Sequence, residues 1–191
     1  MTATVNGKRE IYKGRIVHLF VEDVTLPNGT PCSLEIIRHM GAAAIVPLLP
    51  DGRVVMVHQY RHATGGRLWE IPAGTLAAGE TPEVCAHREL AEETGYRAGS
   101  LEKIAEIFTA PGFCDEKIHI FLATGLTPCR QTLDADEVLS VEPRPLEELM
   151  EMVWRFEISD AKSIAGLSAA YHRRLDHRRG HGPGEGAARP S

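Results

Sequence analysis

Glu89, Glu92 and Glu93 place three carboxylates within one turn of a helical segment, where at about 100° per residue they share a face. Like charges at i,i+3 and i,i+4 repel by about 0.2–0.5 kcal/mol per pair, so grouping them brings the helix no stability. A bound divalent cation reverses the sign of that term, and hard oxygen ligands suit Mg²⁺ or Mn²⁺. Taken alone, the run also fits a solvated acidic face. With its surroundings the chain reads as a metal-dependent enzyme.

The elements that must position these carboxylates are legible around them. Thr81 is an N-cap, Pro82 suits the first helical position, and Glu83 lies where the helix dipole favours an anion. Gly95 suits the left-handed residue that ends a helix. Leu90, Ala91 and Thr94 lie roughly opposite the carboxylates on the helical wheel, so that face is expected to pack, with His87, while the acidic face meets solvent and metal. Cys85, nearer the acidic face, receives no role.

Elsewhere, residues 10–24 and 31–38 are strand-like around the turn Leu26-Pro27-Asn28-Gly29-Thr30. A second pair, 42–49 and 53–60, flanks Pro50-Asp51-Gly52, and 68–72 forms a short strand leading to the acidic helix. Strand-like runs follow at 101–109, 117–124 and 138–142, then helical patterns at 146–152 and 160–175, the latter with Ser159 as a cap. This mixed order predicts an α+β layered domain.

A chain of 191 residues buries one good-sized core. The expected organisation is strands over 1–38, a catalytic domain over 39–175 and a disordered tail over 176–191. Isolated strands such as those of 1–38 are marginal and need a partner surface. Hydrophobic residues at 43% and charged ones at 25% are ordinary for a globular protein. A net charge of −5, with no basic stretch interleaved with aromatics, argues against a nucleic-acid partner. Cys32, Cys85, Cys114 and Cys129 follow no zinc spacing. No stretch reaches the ~18 apolar residues of a membrane span, and a cytoplasmic location is expected.

Gly74, Glu80, Arg88, Glu89, Leu90, Glu92, Glu93, Gly95 and Tyr96 together resemble the Nudix box at its nine defined positions. The resemblance implies a Nudix fold, a mixed β-sheet between helices with a loop–helix–loop motif, here extended by an N-terminal β-hairpin. It also implies Mg²⁺-dependent hydrolysis of a nucleoside diphosphate linked to another group. Outside the box, Gln59-Tyr60-Arg61, Leu68-Trp69-Glu70-Ile71-Pro72-Ala73 and Pro111, 15 residues beyond Tyr96, resemble the ADP-ribose pyrophosphatase branch. That branch implies ADP-ribose cleaved to AMP and ribose 5-phosphate, and a homodimer whose N-terminal strands pack on or reach into the partner. Hydrolysis of other nucleotide sugars, GDP- or UDP-linked, is the alternative within the family. A non-hydrolysing ADP-ribose sensor is the alternative of another class, and the intact carboxylates argue against it.

Breaking a pyrophosphate needs charge neutralisation on the phosphoryl oxygens and an activated water. Glu89 and Glu93 are the best-placed ligand pair, Glu92 serves if more than one ion binds, and the resemblance adds the Ala73 carbonyl. Gly74, Glu80, Arg88 and Gly95 are structural in the motif; for Arg88 the resemblance implies a salt bridge that orients the glutamates, with Glu80 as partner, and a substrate clamp is the alternative. The resemblance places the general base in a late acidic loop, where Glu137 is the choice and Asp136, Glu116 and Glu92 are rivals. Arg61 suits a phosphate fork. Glu70 holds substrate hydroxyls or the adenine amine, or pairs with Arg67; Gly112 allows close approach at the ribose end; Phe20 stacks on adenine or packs in a dimer.

Overall fold

A computed structural model describes residues 2–178. Its elements run β1 (Thr4–Lys13), β2 (His18–Thr25), β3 (Pro31–Arg38), β4 (Ala42–Pro47), β5 (Arg53–Arg61), β6 (Gly66–Glu70) and β7 (Ala73–Thr75). There follow α1 (Pro82–Thr94), β8 (Tyr96–Arg97), β9 (Ser100–Phe108), β10 (Lys117–Thr124), β11 (Thr127–Pro128), β12 (Leu139–Pro145), α2 (Leu146–Trp154) and α3 (Ala161–Arg178).

The centre is the sheet β7-β4-β10-β9, in which β4 and β10 run parallel and the outer pairs antiparallel. β4 is buried at every residue. Its side chains alternate between faces. Ala43 and Ile45, with Phe121 and Ala123 of β10, pack against Cys85, Ala86 and Leu90 of α1. Ala44 and Val46, with Ile118 and Ile120, face the larger core, built with Val54 and Met56 of β5, Leu146 and Leu149 of α2 and Leu167 of α3. The α3 backbone comes close here: a Cβ at Gly166 would lie 2.8 Å from Ile71 Cδ1 and 3.1 Å from Val46 Cγ2. A second sheet, β12-β5-β6, is antiparallel.

Four local expectations are revised. Residues 10–24 are not one strand: the Gly14 N–H donates to Val17 O at 2.8 Å, closing a turn that pairs Lys13 with His18. The N-terminal extension is thus a three-stranded antiparallel meander, β1-β2-β3, rather than a hairpin. β4 and β5 do not form a hairpin ladder either, being joined only by the bridge Leu48↔Val54. Each is a central strand, and β10 and β12 supply the partners that satisfy its backbone. Finally, Asp160 rather than Ser159 caps α3, its Oδ2 accepting the Ser163 N–H at 3.0 Å. That helix continues to Arg178, and the remainder of the expected tail over 176–191 lies outside the described residues.

The meander is tied to the central domain at its last strand. Arg38 donates from Nη2 to Glu22 at 2.7 and 2.8 Å and from Nη1 to Asp115 at 3.0 Å, while Ile37 N–H donates to Phe113 O at 2.7 Å. Among the described residues no helix is long and apolar enough to cross a membrane, which says nothing of a β-barrel.

Candidate active site

The acidic helix starts and stops as its caps dictate. Thr81 Oγ1 accepts the Val84 N–H at 3.3 Å, Pro82 opens the helix, and Gly95, at φ 72°, returns its N–H to Ala91 O at 3.1 Å. The orientation of the carboxylates is not the expected one. Glu89 and Glu93 belong to the buried face of α1 with Cys85, Ala86, Leu90 and Thr94, and only Glu92 sits at its rim. His87, expected to pack, is exposed. The cause is β7, which pairs with β4 through Ala73, Gly74 and Thr75 and covers the acidic face. Ala73 N–H donates to Glu93 Oε2 at 3.0 Å. A Cβ at Gly74 would lie 1.8 Å from Glu89 Oε1, so any other residue there displaces that carboxylate.

Arg88 ties the motif together. Its Nε and Nη2 donate to Glu80 at 2.9 and 3.0 Å, and its Nη1 to Glu92 at 3.0 Å and Glu89 at 2.5 Å. These bonds outweigh burial and hold the Glu80 carboxyl down at about 2. Glu93 goes the other way: burial, then repulsion from Glu89, pushes it up to about 8, and Arg61 across the cleft offsets only part. Burial raises Glu89 too, against the pull of Arg88.

These groups line a cleft of about 660 Å³. Across from Ala73, Gly74, Arg88, Glu89, Glu92 and Glu93 stand Arg61 of β5 and Glu137 of the loop before β12. Glu137 Oε2 accepts the Asp134 N–H at 2.9 Å, and its charge is among those that raise Glu89 and Glu93. Of its rivals, Asp136 lines the same cleft, paired with Arg15 at 3.4 Å, and Glu116 lies in an adjoining cavity, accepting from Thr109 Oγ1 at 2.7 Å.

Glu70 does not pair with Arg67, which donates instead to His58 O. Its two oxygens take Arg61 Nε and Nη2, each at 2.8 Å, and Oε2 also receives Lys162 Nζ. Burial pushes Glu70 up, but Arg61 and Lys162 together hold it below the ordinary carboxylate value. Phe20 and Gly112 are not brought to the cleft of their own chain. The Phe20 ring lies 4.2 Å from that of His18, with the Lys8 ammonium 3.8 Å above it. A Cβ at Gly112 would meet nothing within 4 Å.

Two residues at the site received no role from the sequence. Gln59, on β5 beside Arg61, is 6% exposed, and its Oε1 has no hydrogen-bond partner among the described residues. Lys162 is a cation in the first turn of α3, where the helix dipole disfavours one; that mismatch was the available signal for a buried acidic partner.

The groups that α1 turns to the cleft, Glu89, Glu92 and Glu93, offer oxygen donors, and burial with mutual repulsion disfavours the charge of Glu89 and Glu93, a cost that a hard divalent cation would relieve. Among the described residues no three His, Cys, Asp or Glu side chains already converge as ligands, since Arg88 Nη1 holds Glu89 and Glu92. The fit is therefore one of charge and donor chemistry.

Residues 38–167 match the model of the NUDIX domain. The chain is 44% identical over 163 residues to an ADP-ribose pyrophosphatase of Bacillus subtilis, covering 84% of this chain and 88% of that one. It is 41% identical over 160 residues to a methanol dehydrogenase activator of Bacillus methanolicus, covering 83% and 86%. It is 40% identical over 166 residues to an ADP-ribose pyrophosphatase of Mycobacterium tuberculosis, covering 84% and 79%. The crystal structure of an ADP compounds hydrolase superposes with a TM-score of 0.80 at 22% identity, over 95% of this chain and 97% of that one.

Proposed function

This chain belongs to the Nudix family of hydrolases, and from that premise we propose that it cleaves ADP-ribose, with water, to AMP and ribose 5-phosphate. The observation that carries the reading is the cleft itself, where the three box carboxylates share a space of about 660 Å³ with the guanidinium groups of Arg15 and Arg61 and the carboxylates of Asp134, Asp136 and Glu137. The family's reaction depends on a divalent metal, here taken as Mg²⁺ or Mn²⁺, which Glu89, Glu93, Glu92 and the Ala73 carbonyl would hold. When bound it neutralises phosphoryl charge and acidifies a water.

The chain's own residues do the rest. Arg61 presents its guanidinium to the diphosphate, already oriented by Glu70. Glu137 accepts the proton of the attacking water, from the loop before β12. Arg88 orients Glu89 and Glu92 by tethering both to Glu80. The assembly we infer is a homodimer built on β1-β2-β3, with Phe20 serving the partner's cleft. Free thiols at Cys32, Cys85, Cys114 and Cys129 accord with a cytoplasmic setting.

The test is product chromatography on a panel of ADP-ribose and GDP-, UDP- and ADP-linked hexoses with Mg²⁺. AMP is expected to appear fastest from ADP-ribose and to vanish with EDTA. Glu137→Gln should lower kcat by about 10²–10⁴-fold with KM little changed, the effect of losing a general base. Faster release from a GDP- or UDP-linked hexose would overturn the substrate reading and leave the box chemistry standing.

A further inference from the structure

We propose that Lys162 and Asp160, at the start of α3, are positioning residues that fix the cleft guanidinium of Arg61 through buried Glu70. The observation is a continuous ionic chain across three elements. Asp160 Oδ2 lies 3.0 Å from Lys162 Nζ; Lys162 Nζ bonds Glu70 Oε2; both Glu70 oxygens bind Arg61. Glu70 is 2% exposed and Lys162 9%. The Arg61 side chain keeps 40% of its surface accessible and lines the cleft with Glu93.

Stability does not require such a chain. Burying charges costs desolvation that their attraction repays only partly, and well-packed apolar residues of similar size often do as well or better. The chain does have a geometric consequence. The fork from Glu70 uses Arg61 Nε and Nη2, which sets the plane of the guanidinium and leaves Nη1 for a ligand. Were Glu70 held by Arg61 alone, it would be free to swivel on its own torsions, and the guanidinium with it. Lys162 removes that freedom, and Asp160 anchors Lys162 while capping the helix that carries it. Binding and positioning groups act at their full strength only when held to a fraction of an ångström, and a displacement near 1 Å can cost about 10²-fold.

The inference rests on the reading of Arg61 as the diphosphate clamp, and its test separates the two. Lys162→Met, Arg61→Ala and the double variant are assayed on ADP-ribose, with Tm for each. Lys162→Met is expected to raise KM about tenfold while kcat changes less than about threefold. In the Arg61→Ala background the same change should leave KM unmoved, since its route to substrate is gone. Asp160→Asn keeps the cap and should reproduce a weaker form of the KM effect, which serves if Lys162→Met does not fold. The ¹⁵N–¹H signal of the Arg61 Nε–H, assigned by its loss in Arg61→Lys, reads the same point without substrate. It should be sharp and slow to exchange in the wild-type chain and broadened in Lys162→Met. Unchanged KM in Lys162→Met, full additivity in the double variant, or an unchanged Nε–H signal would each overturn the proposal. Failure of the wild-type chain to act on ADP-ribose would instead overturn the substrate reading, and the Nε–H signal would still decide this one.

Discussion

Glu93 concentrates the chemistry of the site in one carboxyl. Its folded-state value near 8 stands above the ordinary 4.5, because burial and Glu89 disfavour its charge. The metal-free folded chain therefore holds a proton that the unfolded chain releases between those values. The stability carried by that proton is complete below about pH 4.5 and is lost as pH rises towards about 8. The Tm of the wild-type chain in EDTA is expected to fall over this window, and the fall should be shallower in Glu93→Gln; equal slopes would count against the assignment. Ligation displaces the same proton, so Mg²⁺ affinity measured by calorimetry should climb with pH and level off above about 8. Hydrolysis in Glu93→Gln should fall by orders of magnitude with the fold intact. At this scale the three box glutamates could be singled out by their spacing, and Arg88 by the resemblance of its surroundings to the motif. Lys162 could not, because its acidic partner lies 92 residues away in the chain.

α1 shows how far local grammar reaches at the scale of an element. Thr81, Pro82 and Gly95 act as read, since a cap depends on residues within one turn of it. Thr81→Ala is expected to cost about 1 kcal/mol by chemical denaturation and to leave turnover near wild type. Leu90→Ala, which opens a void where α1 meets Ile45 and Phe121, should cost about 2–5 kcal/mol. A Thr81 cost as large as that of Leu90 would mean that the helix is held by its cap rather than by its packing. Strand positions were legible in the same way, β3 and β10 nearly to the residue. Strand partners were not: β4 and β5 flank a good turn yet enter different sheets, because each is buried deeply enough to need neighbours on both edges.

For the whole molecule, the surface to explain is the meander. β1 is almost wholly exposed, and it leaves Val5 57%, Ile11 45% and Tyr12 58% accessible. Under the proposed homodimer these residues are covered by the second copy. Ile11→Lys combined with Tyr12→Glu is expected to convert dimer to monomer in light scattering, with Tm lowered. A wild-type chain that is already monomeric at micromolar concentration would rule the dimer out.

By itself the sequence determined the acidic helix with both its caps, the spacing of Glu89, Glu92 and Glu93, and the turns at Asn28-Gly29 and Asp51-Gly52. Each of these depends on residues a few positions apart, where backbone periodicity and turn stereochemistry act; the family was legible by resemblance to the motif. Only the tertiary structure decided that Glu89 and Glu93 face inward beneath β7, that the cleft draws Arg61 and Glu137 to the same space, and that Lys162 braces Arg61 through Glu70. Periodicity sets the angle at which a side chain leaves its helix; which distant strand covers that angle is settled by packing, and packing alone makes the carboxylates buried and the lysine paired.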